Sequence, residues 1–266
     1  MKVTFVGGGV MGEAMIDAVL GKGIASPDAI MVSDVSLERR ARLREHFGIS
    51  VTADNREAVR WGQVVVLAVK PQVLPKVLAE LEGVAESHQV VLSIVAGAGL
   101  KAILSGLKHG KAVRAMPNTP AQIGEGVTVW TCTEEVTQEE RAAAQSILAA
   151  LGEEIYVEDE KYIDMATALS GSGPAYVFLI MEALIDAGVY IGMRRDVAHR
   201  LILRTLLGSA RLVEKTGKHP AELRNMVTSP GGTTAEALME LEQAHLRTIL
   251  ADAVLAAYEK ARDLGG

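Results

Sequence analysis

A glycine-rich segment follows the first apolar run of the chain and opens its first helical stretch. The run is Val3–Val6, and the segment Gly7-Gly8-Gly9-Val10-Met11-Gly12 matches the pattern G-x-G-x-x-G. Between a strand and a helix, the first glycine of this pattern permits a tight turn, the second lets a pyrophosphate approach the backbone, and the third allows close helix packing. The helix N-terminus adds free amides and a partial positive charge. The segment therefore predicts a dinucleotide-binding site.

Short β-branched runs alternate with amphipathic stretches over residues 1–155. This alternation is typical of right-handed βαβ units that build a parallel sheet. The run Val64–Val69 has no polar alternation, as expected of a strand covered on both faces. We predict strands at Val3–Val6, Ile30–Ser33, Val64–Ala68, Val90–Val95, Ala112–Ala115 and Val127–Thr131, and helices at Met11–Lys22, Leu37–Phe47, Asn55–Trp61 and Val73–Leu81.

The pattern changes after about Tyr162, where β-branched runs give way to helical periodicity. The predicted helix Pro174–Gly192 is apolar around most of its circumference, and such a helix must be covered on several sides. A partner subunit is one source of that cover. Further helices are predicted at Val197–Val213, Pro220–Met226 and Thr234–Leu264. We therefore expect an α/β dinucleotide-binding domain over residues 1–160 and an all-helical domain over residues 161–266.

Composition argues against several other classes of protein. The 266 residues are 49% apolar and carry a net charge of −6, with no basic block, which disfavours a nucleic-acid partner. The longest apolar runs fall far short of the roughly 18 residues of a membrane span, and the N-terminus reaches glycine too soon for a signal peptide. A single cysteine, Cys132, and scattered histidines indicate no metal site. These features predict a cytoplasmic protein.

Asp34 ends the second predicted strand, about 20 residues beyond the glycine segment. An acidic residue there normally accepts hydrogen bonds from the adenosine ribose, which favours NAD. Ser36, Arg39 and Arg40 follow directly and could instead hold the 2′-phosphate of NADP, so the choice of cofactor stays open. Lys70 follows the predicted strand Val64–Ala68, at the carboxyl edge where open α/β sheets place their ligands.

Two segments rich in glycine and serine lie in the C-terminal half. Ser170–Tyr176 leads into a helix begun by a proline, and its backbone amides are expected to point outward. In Met226–Thr234, Pro230 is expected to start a helical turn that Ser229 caps, with Gly231-Gly232 exposing bare backbone. An ordinary capped helix start is the alternative. Beside a dinucleotide fold, two such segments favour a site for a carboxylate.

These motifs together resemble the pyrroline-5-carboxylate reductase family, over essentially the whole chain. The resemblance rests on Gly7–Gly12, Val69-Lys70-Pro71, Arg114-Ala115-Met116-Pro117-Asn118, Ser170–Tyr176 and Val227–Thr234. It implies a Rossmann domain followed by a helical domain that interlocks with its partner's in a homodimer, and often a decamer built of five such dimers. It also implies reduction of the cyclic imine 1-pyrroline-5-carboxylate to L-proline by NADPH or NADH, the last step of proline biosynthesis.

The resemblance also implies site residues, and the hydroxyl of Thr234 is the candidate for the hydrogen bond to the ring nitrogen. Two positions depart from the family pattern: Asp34 replaces a usual serine or threonine, and Asn225 replaces a frequent aspartate. The implied cofactor positions are Gly7, Gly8, Gly9, Val10, Met11, Gly12, Asp34, Asn55, Ala68, Val69, Lys70 and Pro71. The candidate substrate positions are Glu160, Ser229, Gly231, Gly232, Thr233 and Thr234.

Two other interpretations stay open from the sequence. A β-hydroxyacid dehydrogenase would share the glycine segment and the helical domain, but it relies on a lysine in the first long helix, and Pro174–Gly192 contains none. A homologue that binds nucleotide without catalysis would be expected to have lost the substrate motif, whereas Ser229–Thr234 is intact.

Overall fold

An eight-stranded sheet forms the N-terminal half in the computed structural model, which describes residues 1–265. The spatial order is β3-β2-β1-β4-β5-β6-β7-β8, so the direction of strand succession reverses between β1 and β4. In open sheets a dinucleotide binds at such a point, outside the carboxyl ends of the strands. The strands β1–β8 are Val3–Val6, Ile30–Ser33, Ser50–Thr52, Val64–Leu67, Val90–Ser93, Ala112–Met116, Gly126–Cys132 and Gly152–Tyr156.

Six helices connect these strands, and three of them begin at a side-chain cap. The hydroxyl of Ser36 accepts a hydrogen bond from the Arg39 amide at 3.2 Å, and Thr137 forms a capping box with Glu140. Such caps satisfy amides that the first turn leaves unpaired. The helices α1–α6 are Val10–Gly21, Leu37–Phe47, Asn55–Trp61, Leu74–Leu81, Leu100–Leu107 and Gln138–Ala149.

Two hydrophobic clusters cover the faces of the sheet. Val64 and Val66 of β4 belong to the cluster that contains Phe5, whereas Val65 and Leu67 belong to the other. Successive side chains of a strand point to opposite faces, so each cluster is the core on one side. All four residues of β4 are buried, as the absence of polar alternation predicted.

The prediction of a parallel sheet is correct for β1 to β6 and wrong for β7. Strand β7 runs antiparallel to β6, with Val113 opposite Cys132. The connection over residues 117–125 is too short for the crossover helix that a parallel neighbour needs. Strands β3 and β8 and helices α5 and α6 were not predicted individually.

The C-terminal half is helical, as predicted, but two segments differ from the expectation. The amides of Ser170–Tyr176 were expected to point outward, but a π-helical turn over Thr167–Gly171 continues into the next helix and the Ser172 amide donates to the Thr167 carbonyl at 2.9 Å. The predicted helix Thr234–Leu264 is interrupted before His245, whose φ is +56°. The helices α7–α12 are Lys161–Ala166, Gly173–Tyr190, Arg195–Thr216, Pro220–Met226, Thr233–Gln243 and Leu246–Gly265.

The described residues divide into two compact units, one of residues 1–174 and 256–265 and one of residues 175–255. Helix α8 begins at the edge of the second unit and exposes large apolar side chains, among them Phe178 at 58% and Leu179 at 66%. The continuous helical stretch Lys161–Tyr190 is long and apolar enough to cross a membrane by length and composition alone, although it contains no unbroken apolar run of that length. An exposed apolar face of this size needs cover from outside the chain.

Candidate active site

The glycine segment forms the turn between β1 and α1. Gly7 has a φ of +99°, and its amide donates to the Ser33 carbonyl at 2.8 Å. A Cβ at Gly7 would lie 2.8 Å from the Ala68 carbonyl oxygen, and one at Gly12 would lie 2.7 Å from the Gly7 carbonyl oxygen. Gly7 and Gly12 therefore have the turn and packing roles that the pattern predicts.

Gly9 differs from these two glycines because a Cβ there would meet no heavy atom within 4 Å. Gly9 is the N-cap of α1, and the Glu13 amide donates to its carbonyl at 2.8 Å. The next amides belong to the first turn of the helix and have no partner inside it. Open space before a helix N-terminus fits a pyrophosphate group.

A cleft of about 260 Å³ lies at this turn, and we call it the glycine-loop cleft. It brings together the sequence-predicted residues Gly7, Gly9, Asp34, Asn55, Ala68, Val69 and Lys70. The cleft is also lined by Ser33, Val35, Val73 and Val77, which the motifs do not contain. Ser33 and Val35 are neighbours of Asp34, whereas the two other valines come from the Pro71–Leu81 segment and could be found only from the fold.

Some predicted cofactor residues have other roles in this structure. The Gly8 amide donates to a carboxylate oxygen of Asp34 at 2.9 Å, so Gly8 holds the turn against β2. Val10, Met11, Gly12 and Pro71 do not line the cleft, although Val10 begins α1 and Pro71 begins a short 3₁₀ turn. The side chain of Asn55 lines the cleft and donates to Glu80 at 2.9 Å.

Replacing Gly9 with alanine should weaken cofactor binding without damaging the fold. The new methyl group would enter the open space beside the α1 amides, and we expect NADH affinity to fall at least tenfold, about 1.4 kcal/mol. The free energy of unfolding should change by no more than about 1 kcal/mol, because the site is an N-cap with an ordinary φ. Calorimetric titration and thermal unfolding measure the two effects.

Gly12→Ala is the matched comparison for this variant. Its Cβ would lie 2.7 Å from a backbone oxygen, so the variant should lose about 1–3 kcal/mol of stability by overpacking. An unchanged NADH affinity in Gly9→Ala would contradict the assignment of the open space to the cofactor.

A second cavity of about 270 Å³ lies beyond β5 and contains several charged residues. It is lined by Gly97, Gly99, Arg114, Glu160, Lys161, Asp164 and Arg262. A hydrogen bond to Asp159 and the charge of that carboxylate raise the pKa of the Lys161 ammonium above its usual value. Glu160 was predicted as part of the polar surround of the substrate, and this cavity is where the structure places it.

Arg114 connects this cavity to the sheet. It is buried in β6 and donates to Glu160 at 2.8 Å and to Asp164 at 2.5 Å. The same Glu160 oxygen accepts the Leu100 amide at 2.7 Å. Among residues 1–265, the Nε of Arg114 is buried without a hydrogen-bond partner. Arg114 was part of a recognised motif, but no role could be assigned to it from the sequence.

The segment before α11 forms a turn, and its geometry corrects one expectation. Pro230 and Gly231 are the central residues, Gly231 has a φ of +67°, and the Gly232 amide closes the turn on the Ser229 carbonyl at 3.0 Å. Proline followed by a glycine with positive φ is the pattern of a type II turn. Ser229 therefore does not cap a helical turn, because α11 begins only at Thr233 with Gly232 as its N-cap.

The polar groups of this segment remain available at the start of α11. Ser229 and Thr233 are exposed, and Thr234 is half-buried. The Thr228 hydroxyl donates to the Arg224 carbonyl at 2.7 Å, which fastens the turn to α10. Asn225 and Thr228 line a surface cavity with Glu242 and Arg247, where hydrogen bonds from Arg247 lower the pKa of the Glu242 carboxyl.

The sheet order, the switch point and the glycine-loop cleft define a dinucleotide-binding protein of Rossmann type. A family model described as pyrroline-5-carboxylate reductase dimerisation matches residues 160–264, and one described as NADP oxidoreductase, coenzyme F420-dependent, matches residues 2–97. A pyrroline-5-carboxylate reductase from Synechocystis sp. is 41% identical over 100% of this chain and 98% of the relative. The chain belongs to the pyrroline-5-carboxylate reductase family.

Solved structures agree with this assignment. The pyrroline-5-carboxylate reductase from Coxiella burnetii matches with a TM-score of 0.90 and 38% identity, over 100% of this chain and 98% of that one. The Plasmodium falciparum pyrroline carboxylate reductase, whose structure holds NADP, matches with a TM-score of 0.92 and 31% identity over the same shares.

Proposed function

We propose that this chain catalyses the NAD(P)H-dependent reduction of 1-pyrroline-5-carboxylate to L-proline, the last step of proline biosynthesis. The observation that carries the proposal is a glycine-loop cleft in the same chain as an intact Ser229–Thr234 turn, in a protein similar over its full length to named reductases. The full-length similarity to these reductases also argues against a β-hydroxyacid dehydrogenase.

The reaction places two demands on the protein. The substrate is a five-membered cyclic imine that carries a carboxylate, and its reduction adds hydride to the imine carbon and a proton to the nitrogen. The bound dinucleotide supplies the hydride. The protein must bind the carboxylate, orient the ring and favour the protonated nitrogen.

The start of α11 is the proposed carboxylate site. The Ser229 and Thr233 side chains and the Gly231 backbone offer donors there, with the partial positive charge of an 11-residue helix behind them. The Gly232 amide is already used inside the turn, so Gly232 contributes close approach rather than a hydrogen bond. Thr234, one residue into the helix, is the proposed partner of the ring nitrogen.

Thr234 is proposed as an orienting or relay group rather than as the acid. A threonine hydroxyl has too high a pKa to be an efficient proton source by itself, so water or an iminium protonated in solution supplies the proton. Glu160 is proposed as a polar wall of the second cavity. One oxygen of Glu160 accepts hydrogen bonds from Arg114 and from the Leu100 amide, and the other oxygen is the one available to a ligand.

The remaining assignments concern assembly and location. The matched dimerisation model and the exposed apolar face of α8 support a homo-oligomer. We propose a homodimer that can assemble further into a decamer, a cytoplasmic location, and no nucleic-acid or membrane partner. We also propose the boundary between dinucleotide-binding and dimerisation domains at residues 160 and 161, where the family model begins.

The direct test is the loss of nicotinamide absorbance when the protein is mixed with pyrroline-5-carboxylate and NADH or NADPH. Turnover that requires both substrates, with proline as product, would establish the reaction. Hydroxyisobutyrate with NAD is the comparison for a β-hydroxyacid dehydrogenase, and the protein should show no turnover with this pair. A protein that binds nucleotide but turns over neither cofactor would be the non-catalytic homologue.

A further inference from the structure

The carboxylate of Asp34 is held in one orientation at the glycine-loop cleft. One oxygen accepts the Gly8 amide at 2.9 Å, and the other accepts the Ser36 amide at 2.9 Å. The backbone amide of Asp34 donates to the Thr52 carbonyl at 3.2 Å, which fixes the residue at the end of β2. An ionised carboxylate has about four acceptor positions, so acceptor capacity remains on the side that lines the cleft.

The two arginines that could have held a 2′-phosphate already donate hydrogen bonds to acceptors of the protein. Arg39 donates through Nε to the Gly8 carbonyl and through its terminal nitrogen to Glu13, and its side chain is only 20% exposed. Arg40 donates to the carbonyl oxygens of Asp34 at 2.6 Å and Val35 at 3.2 Å. The charged side chains that line the glycine-loop cleft are those of Asp34 and Lys70, and neither arginine is among the lining residues.

Arg39 belongs instead to a different cavity, which residues of α1 and α2 line. That cavity, of about 370 Å³, is lined by Glu13, Asp17, Arg39, Arg42 and His46, among others. Glu13 also accepts a hydrogen bond from Arg42 at 3.2 Å, so two guanidinium groups share one carboxylate there. Turning Arg39 toward the cleft would break its contacts with the Gly8 carbonyl and with Glu13.

We propose that Asp34 makes this chain selective for NADH over NADPH. The inference rests on the proposed use of a nicotinamide dinucleotide and names which one. The carboxylate accepts hydrogen bonds from the ribose hydroxyls of NADH, which are charge-assisted and therefore strong. The 2′-phosphate of NADPH would replace a donor by a group with a charge near −2 beside a carboxylate, while Arg39 and Arg40 are held by other acceptors and do not line the cleft.

Titration of NADH and of NADPH into the substrate-free protein tests the selectivity. For the unaltered chain we expect an NADH Kd at least about tenfold below the NADPH Kd. In Asp34→Ser, NADH affinity should fall and NADPH affinity should rise, so that the ratio of the two Kd values shifts by at least tenfold. The ratio of kcat/KM values should shift in the same direction.

Two further variants separate the charge of Asp34 from its support of the turn. Asp34→Asn removes the charge and keeps one acceptor for the Gly8 amide, so it should lose most of the discrimination with little change in thermal stability. Asp28→Asn is the control for net charge, because Asp28 is exposed before the opposite end of β2, and it should leave the ratio unchanged.

Each outcome separates the inference from the proposed function. An unaltered chain that prefers NADPH, or an Asp34→Ser variant with an unchanged ratio, would overturn the selectivity and leave the reductase assignment intact. Failure to bind either dinucleotide would overturn the cofactor assignment and the inference together. Tight NADH binding without turnover would support the selectivity while contradicting the proposed reaction.

Discussion

Replacing Thr234 with alanine is expected to lower kcat for pyrroline-5-carboxylate reduction by roughly 100-fold, equivalent to about 2.7 kcal/mol of transition-state stabilisation. The side chain is half-buried near the start of α11, and in the proposed function its hydroxyl forms a hydrogen bond with the ring nitrogen of the substrate. NADH affinity should be unchanged, because the glycine-loop cleft is formed by other residues. Steady-state kinetics and a nucleotide titration measure the two quantities.

Thr234→Ser is the informative partner of that variant. It keeps the hydroxyl and should retain activity within about tenfold of the unaltered enzyme. Thr216→Ala removes an exposed hydroxyl that donates to the Leu212 carbonyl at 2.6 Å, and it should leave kcat unchanged. Full turnover in Thr234→Ala would show that the Thr234 hydroxyl has no role in the reaction.

Replacing Arg114 with methionine is expected to lower the free energy of unfolding by about 3 kcal/mol. Removing one partner of a buried ion pair typically costs about 3–5 kcal/mol, since the opposite charge is left without compensation. The lower end of this energy range applies here because the side chains of Glu160 and Asp164 are 35% and 23% exposed, so water partly solvates the charges left behind. In a chain of this size the midpoint of thermal unfolding should fall by roughly 10 °C.

Arg194→Met is the control for the loss of an ion pair. Arg194 pairs with Asp196 at 2.9 Å, but the two side chains are 81% and 62% exposed, and such pairs contribute little. Its stability should change by less than about 0.5 kcal/mol. Equal midpoints for the two variants would show that the buried Arg114 pairs do not hold α7 to the sheet.

Several helices begin and end where they were predicted because their limits are set by neighbours in the sequence. The bounds Leu37–Phe47, Asn55–Trp61 and Pro220–Met226 are confirmed. Ser36 and Asp54 cap the first two through bonds to amides two or three residues onward, and Pro220 occupies a first-turn position of the third. Signals of this range are readable without knowledge of the fold.

Predictions failed where the deciding interaction is distant in sequence. The direction of β7 depends on its pairing with β6, which places Val113 opposite Cys132. The helical state of Ser170–Tyr176 is a local exception, because it depends on a π-turn that leaves no compositional signal. The role of Arg114 could not be predicted because its partners lie 46 and 50 residues away. Nothing in the local pattern identifies those carboxylates among the other acidic residues.

The sequence by itself determined the dinucleotide fold, the family and the positions of the glycine and Ser229–Thr234 motifs, because spacing over a few residues sets turns and helix starts. Only the tertiary structure decided which charged groups meet. It placed Asp34 against Gly8, 26 residues away, and engaged Arg39 with Glu13. The sequence left open whether Asp34 or the arginines face the adenosine ribose, because all of these residues lie within seven positions of one another in the chain. The fold decides between them by giving Arg39 and Arg40 other acceptors, because hydrogen bonds and Coulomb interactions depend on distance in space.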